Sequence, residues 1–556
     1  MERLTAVGPT AYERHRALLH DVVHAMAAGE CRLPFTAATG QDAADAGMRS
    51  TRTAAKVFAS LLGRPFDLDQ PGERDRVATE FSPYGIAMGI GYPRCDPAAL
   101  VAAASRATAG WRAAGPAERA GLAVEILRRL NTRSHELALA VHHTTGQPPG
   151  AAFRAAGPRA QDRALEAVAQ AFAESERVPA DLRWESARGR RGRPLEMRGT
   201  CTLVPRGVSL LVGCADYPLW NGYPGLFASL VTGNPVIVAP HPRAVLPLAI
   251  TVRVARQVLA EAGHSPDIVT LAVAPPEDRL HRRLATDPAV RIIDFTGSAR
   301  FADWLEQYAR QAVVFAQRTG PNTVVVDSTD DYRSLVRGLA SSLCRCNGRL
   351  RTTPQNLLAP AAGIATDEGP KSLRDLGADL GEAVDRLLGH PARVARLVGA
   401  IADDTVAAEV ERAARYGTVV HAARALRHPD HPHADVRSPL LVRLQARDER
   451  VYGREWPGPV AFLVGTDSTA HSLEVFRRTV GRHGALYAAV HSTDPLVLAV
   501  AESAALDAGA HLVQNLADDL PADPSSGGSD LPSGGAHFVT GRFRVVRSRR
   551  HVAAAA

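Results

Sequence analysis

"VRIIDFTGSARFADWLEQYARQA", residues 290–312, decides the fold. Val290–Phe295 is a short apolar strand, Thr296-Gly297-Ser298 is a turn, and a helix follows over Ala299–Ala312. A strand that runs through a glycine turn into a helix is a phosphate cradle. The helix's first amides have no partner of their own, and the glycine lets backbone approach a pyrophosphate. Taken alone the motif is common in any α/β protein, so its surroundings must be read with it.

Upstream, Ser209–Gly213 and Pro235–Ala239 are short apolar strands. They alternate with helices over Pro224–Thr232 and Arg243–Gly263, and a further strand covers Asp267–Val273. Downstream, Thr323–Asp327 is another. Short buried strands alternating with helices define an α/β protein with a Rossmann-like parallel sheet, crossed over right-handedly. A second alternating block follows. It has helices over Arg333–Cys346, Leu373–Leu388, Ser472–His483 and Pro495–Ala508, and strands over Leu440–Leu444, Val460–Val464 and Ala485–His491. The first 80 residues are helical in pattern (Ala11–Ala27, Gln41–Leu62), and Ala98–Ala114 and Pro116–Thr145 read as long helices. His142 and His143 then close a helix, where cations suit its dipole. The expected division is a helical extension over 1–80, a nucleotide-binding domain over 81–330, a second α/β domain over 331–515, and a loop and tail over 516–556. The stretch 520–535, LPADPSSGGSDLPSGG, reads as a flexible loop.

The chain has 556 residues, 46% of them hydrophobic and 22% charged, with a net charge of +7. Lys56 and Lys371 are the only lysines among 65 basic residues, a bias of composition rather than a partner signal. The arginine clusters Arg188–Arg193 and Arg542–Arg550 lack interleaved aromatics, so no nucleic-acid partner is expected. No run of about 18 apolar residues occurs and the N-terminus has no apolar core, which points to a cytoplasmic protein with no membrane partner. Six scattered cysteines make no zinc spacing, so no metal is expected. Cys344 and Cys346 read as small side chains on a mostly buried helix.

Gly233–Pro240, Phe295–Ser298, Gly320–Val326 and Glu455–Pro459, taken in order, resemble the aldehyde dehydrogenase superfamily over about residues 81–515. WNGYPGLFASLVTGNPV, PNTVVVDSTDDYR, RTTPQNLL and GRFRVVRSRRH are similar to the PaaN-type phenylacetic acid degradation proteins. The resemblance implies NAD(P)-dependent aldehyde oxidation, with NAD or NADP as cofactor. A cysteine thiolate attacks the aldehyde, hydride leaves to the cofactor, and a glutamate activates the hydrolytic water.

Set against that pattern, the nucleophile position is Arg351, in Gly348-Arg349-Leu350-Arg351-Thr352-Thr353. A guanidinium has no lone pair to offer a carbonyl. The general base aligns with Gln317, the ribose-anchoring lysine with Ala239, and Cys214–Pro218 holds no asparagine where the oxyanion donor belongs. Gly297, Ser298 and Glu455 remain as cofactor-binding positions. The chain is therefore expected to be a catalytically degenerate homologue that acts as a binding or scaffold protein. The alternative is an active oxidoreductase with a relocated nucleophile, Cys346, whose thiol a neighbouring arginine would activate. The resemblance also implies a homo-oligomer (a dimer joined by strands within 184–206) or a hetero-oligomer with an active paralogue, and a small aldehyde or CoA ester as ligand.

Overall fold

Near-continuous apolar runs, rich in β-branched residues, build the first sheet, because each face meets a different layer of helices. In the computed structural model, which describes residues 9–37, 43–186, 195–350, 352–485, 487–515 and 545–547, its strands are β1 (Val208–Val212), β2 (Val236–Ala239), β3 (Val269–Leu271), β4 (Val290–Gly297) and β5 (Val313–Arg318). All pair in parallel, in the order β3-β2-β1-β4-β5. Leu211, Val236, Val238 and Leu271 pack into one core. Leu210, Val212, Ile237, Ile293 and Phe295 pack into another on the opposite face. Both faces are covered, as a parallel sheet requires.

Four residues beyond β5 the chain enters a second sheet. Its strands are β6 (Thr323–Val326), β7 (Asn356–Pro360), β8 (Thr418–His421), β9 (Leu440–Gln445), β10 (Val460–Thr466), β11 (Ala488–His491), β12 (Leu512–Gln514) and β13 (Val545–Arg547). The order is β8-β9-β10-β7-β6-β11-β12-β13, parallel except for β8 on β9. Asn322 fixes the passage between the sheets. Its side-chain amide donates to the Thr353 carbonyl (2.9 Å), its side-chain oxygen accepts from the Tyr487 amide (2.9 Å), and its carbonyl accepts from Gln355 and Asn356.

Several sequence expectations change here. The single helix over Pro116–Thr145 is two, Gly115–Asn131 and α1 (Ser134–Thr145), because the chain turns at Thr132-Arg133. The helix begun after Phe295–Ser298 ends at Tyr308, and the VVFAQR run is the edge strand β5. The helix expected from Arg333 stops at Cys344. Cys346 and Asn347 adopt left-handed backbone (φ 51° and 54°), so Cys346 sits in a kink and not on the helix. His142 and His143 are buried and held neutral, so they are not the cations expected at that helix end. Burial pulls His142 down to about 3 and His143 down to about 4. Ala98–Ala114, Leu373–Leu388 and Pro495–Ala508 match observed helices within a residue or two.

Asp181–Ser186 and Leu195–Thr200 pair as an antiparallel ribbon. Arg188–Arg193 between them lies outside the described residues, as do the loop 520–535 and Arg542–Arg550 apart from the backbone of Val545–Arg547. Among the described residues no helix is long and apolar enough to cross a membrane, and no group of three or more His, Cys, Asp or Glu is placed to hold a metal.

Candidate active site between the two sheets

The strand order reverses between β1 and β4, and ligands of open α/β sheets bind outside the carboxyl ends at such a switch point. Gly297 ends β4 there. A Cβ on it would lie 2.7 Å from the Phe295 ring, so any side chain here would have to displace that ring. Ser298 is exposed and opens α2 (Ala299–Tyr308) without a side-chain capping bond. The Ala299 and Arg300 amides of α2 are therefore open to an anion, while that of Phe301 donates to the Ser298 carbonyl. These features fit a dinucleotide's pyrophosphate.

The opposite side is formed by Thr319, just beyond β5, and by Glu455 in the loop before β10. Thr319 donates its amide to the Gly297 carbonyl (3.2 Å) and its hydroxyl to the Glu455 carboxylate. Glu455 thus stands near Gly297 although the two are 158 positions apart in sequence. The residue as a whole is exposed, but its carboxylate is recessed. That loss of water raises its pKa, against the lowering hydrogen bond from Thr319, and the Asp216 charge adds to the rise. Gln317 lies opposite Thr296 in the β4–β5 register and accepts a long hydrogen bond from its hydroxyl (3.5 Å). An amide in this place orients a neighbour but takes no proton near neutral pH.

At the other end of the cleft Arg349 donates to Asp216 (2.9 Å) and to the carbonyl of Thr145. Gln147 donates to the Asp216 carbonyl (2.5 Å). Gly348 must be glycine: its φ is +68°, and a Cβ would approach Pro459 Cα to 2.9 Å. Cys346 is only 2% exposed. Burial pushes its thiol up to about 11, outweighing the pull of Arg349, of Tyr217 and of Arg154 and Arg345. The Tyr217 hydroxyl lies beside the thiol without making a directed hydrogen bond. The activation expected from a neighbouring arginine is therefore absent, because desolvation of the thiolate is the larger effect. Arg351 lies outside the described residues.

Ala239 ends β2 fully buried and offers no side-chain donor. Its carbonyl and that of Pro240 instead face His281 Nε2, each at 3.3 Å. His281 belongs to α3 (Leu280–Ala285), the short helix before β4. Sequence reasoning passed over Thr319, His281 and the Arg349–Asp216 pair. No local pattern marks them, since each acts on a residue brought near only by the fold.

A parallel sheet with a glycine turn at its switch point, beside a second α/β unit, is the architecture of a dinucleotide-binding fold. The chain belongs to the aldehyde dehydrogenase family, whose model matches residues 92–527. The crystal structure of an NAD-dependent aldehyde dehydrogenase from Burkholderia multivorans is 43% identical, with a TM-score of 0.90 over 95% of this chain and 93% of that one. A Thermus thermophilus 1-pyrroline-5-carboxylate dehydrogenase shares the fold at 17% identity, with a TM-score of 0.66 over 86% and 89% of the two chains. Among curated relatives, the N-succinylglutamate 5-semialdehyde dehydrogenase of Chromohalobacter salexigens is 24% identical over 273 residues, 48% of this chain. The match spans 51% of that relative's length.

Proposed function

We propose that this chain is a PaaN-type member of the family, tied to phenylacetate or other aromatic catabolism, that binds NAD or NADP without oxidising aldehydes. The family activity is NAD(P)-dependent aldehyde oxidation, and the neighbour from Burkholderia multivorans is named as NAD-dependent. Gly297, Ser298 and Glu455 hold the nucleotide: the first two cradle the pyrophosphate, and the third accepts from ribose hydroxyls. When bound, the nucleotide would supply a hydride acceptor.

One observation carries the loss of turnover. Asp216, in the stretch where the family places its oxyanion-holding amide, is a carboxylate gripped by Arg349. A carboxylate only accepts hydrogen bonds, so it repels the alkoxide that aldehyde attack would create. Arg351 at the nucleophile position and Gln317 at the base position act in the same direction. The burial of Cys346 argues against the runner-up, a relocated nucleophile. Held in this state, the protein serves as a binding or scaffold subunit for a small aldehyde or CoA ester. It assembles as a dimer through the 184–206 strands or with an active paralogue.

Two measurements on the full chain test this. Calorimetry should give micromolar binding of NAD+ or NADP+, lost on Glu455→Ala with Gly297→Val. Absorbance at 340 nm should stay flat with phenylacetaldehyde and aliphatic aldehydes. Binding of neither nucleotide removes the nucleotide site from the proposal, and steady NAD(P)H formation removes the loss of turnover.

A further inference from the structure

The adenosine end of the nucleotide site has an electrostatic character of its own. Beyond the switch point, a dinucleotide extends toward the carboxyl end of β2. There the general rule is a carboxylate when the ribose carries a free 2′-hydroxyl, and an arginine when it carries a phosphate. The chain leaving β2 reads Ala239-Pro240-His241-Pro242-Arg243, with no carboxylate. Arg243 is engaged by Asp403 (3.1 Å). His281 docks α3 directly over this strand end through the Ala239 and Pro240 carbonyls.

The next residue of α3 is Arg282. Its guanidinium lies on the indole of Trp304 in α2, 4.8 Å from the ring centroid. Trp304 is itself one ring of a ladder, stacked on Phe301 (5.6 Å, 10° between planes) and on Tyr308 (5.3 Å, 27°). Arg282 is exposed, and among the described residues it pairs with no carboxylate. The nearest acid on its own segment, Asp278, is taken up by Arg283 (2.5 Å) and Arg94 (3.0 Å). An exposed guanidinium with no carboxylate partner among the described residues is thus held over an aromatic ring, between the helix that follows the Gly297 turn and the end of β2. A guanidinium in that state offers a planar fork of donors to a phosphate and a π-face to a purine.

We infer that the nucleotide this site selects carries a phosphate on its adenosine ribose, as NADP+ does, and that Arg282 is the specificity-determining residue that reads it. This rests on the nucleotide-binding part of the proposed function. Trp304 acts as a positioning residue, keeping the guanidinium in place before the ligand arrives. The carboxylates matter equally: the chain leaving β2 carries none, and Asp403, the acid that reaches this strand end, is paired with Arg243, so its charge is offset where the phosphate would sit.

The full-length protein and its Arg282→Ala variant are each titrated calorimetrically with NADP+ and with NAD+. Arg282 is an exposed side chain, and an unchanged thermal transition of the variant checks that the fold is kept. The wild type should bind NADP+ at least about 10-fold more tightly than NAD+. Arg282→Ala should weaken NADP+ about 10-fold and NAD+ less than about 2-fold. Equal or tighter binding of NAD+ by the wild type, or an equal loss for both nucleotides in the variant, overturns the inference while leaving the nucleotide site standing. Binding of neither nucleotide overturns both.

Discussion

Arg349 Nη1 lies 2.9 Å from Asp216 Oδ1, joining two residues 133 positions apart across the cleft. Arg349 is 12% exposed and Asp216 46%, so the pair sits at the cleft's edge with the cation on the inner side. Its second bond, to the Thr145 carbonyl, ties the end of α1 to the same point. Replacing Arg349 with Met removes both contacts and should lower stability by about 1–3 kcal/mol in urea unfolding. A change below about 0.5 kcal/mol would mean that the pair holds nothing together.

The same pair predicts how hard it is to restore chemistry. Arg351→Cys with Gln317→Glu returns a thiol and a base but leaves the Asp216 carboxylate where an alkoxide would form. That double variant should show at most trace NAD(P)H formation. Adding Asp216→Asn should raise the rate at least about 10-fold, since one oxyanion donor is worth about 100-fold or more in established cases. A double variant as fast as the triple would refute the role given to Asp216.

Glu80 is buried and accepts from Tyr92 and from the Val245 and Leu246 amides (2.5 and 2.9 Å), capping the helix Leu246–Glu261. Burial pushes its carboxyl up to about 7 against those lowering bonds. The folded state therefore holds this proton more tightly than the unfolded chain. The resulting stability is complete below pH 4.5 and is lost as pH rises through about 7. Relative to Glu80→Gln, the wild type should lose about 3 kcal/mol between pH 4.5 and 7.5. Parallel unfolding curves across that range would contradict it.

His143 gives the opposite slope. It stacks on Phe58 (4.6 Å) and shares a hydrogen bond with Ser82 (2.9 Å), and burial followed by the charge of His431 pulls it down to about 4. Here the unfolded chain binds the proton first, so the contribution is present above pH 6.5 and fades as pH falls toward 4. Relative to His143→Phe, the wild type should lose about 2 kcal/mol between pH 7 and pH 5. Equal losses in the two proteins over that range would exclude this assignment.

The periodicities that are strictly local were legible. Val290–Phe295, Pro235–Ala239 and Leu373–Leu388 each declare their element through the spacing of apolar residues, and the Gly297 turn declares the cradle. The edge strand VVFAQR was not, because it follows a helix with no glycine or proline between them. The break at Thr132-Arg133 was hidden by an unbroken apolar stripe. The left-handed backbone at Cys346 has no signal in residue type, whereas Asn347-Gly348 is a dipeptide that favours such a turn. Within the site, motif order picked out Gly297, Ser298, Gln317 and Glu455 as candidates, but not the contacts that set their chemistry. That Cys346 is buried, that Arg349 is committed to Asp216 and that Glu455 meets Thr319 are properties of contacts between distant segments.

The proposed loss of turnover requires that no activated nucleophile stands at this site, and the reactivity of Cys346 tests that without any choice of substrate. The folded protein is treated with iodoacetamide at pH 7.5, and each cysteine is followed by peptide mass spectrometry. A thiol buried and pushed up to about 11 should stay unmodified over hours and react only after unfolding. Alkylation of Cys346 within minutes, slowed by NAD+ or NADP+, would reveal a working thiolate in the cleft and contradict the account.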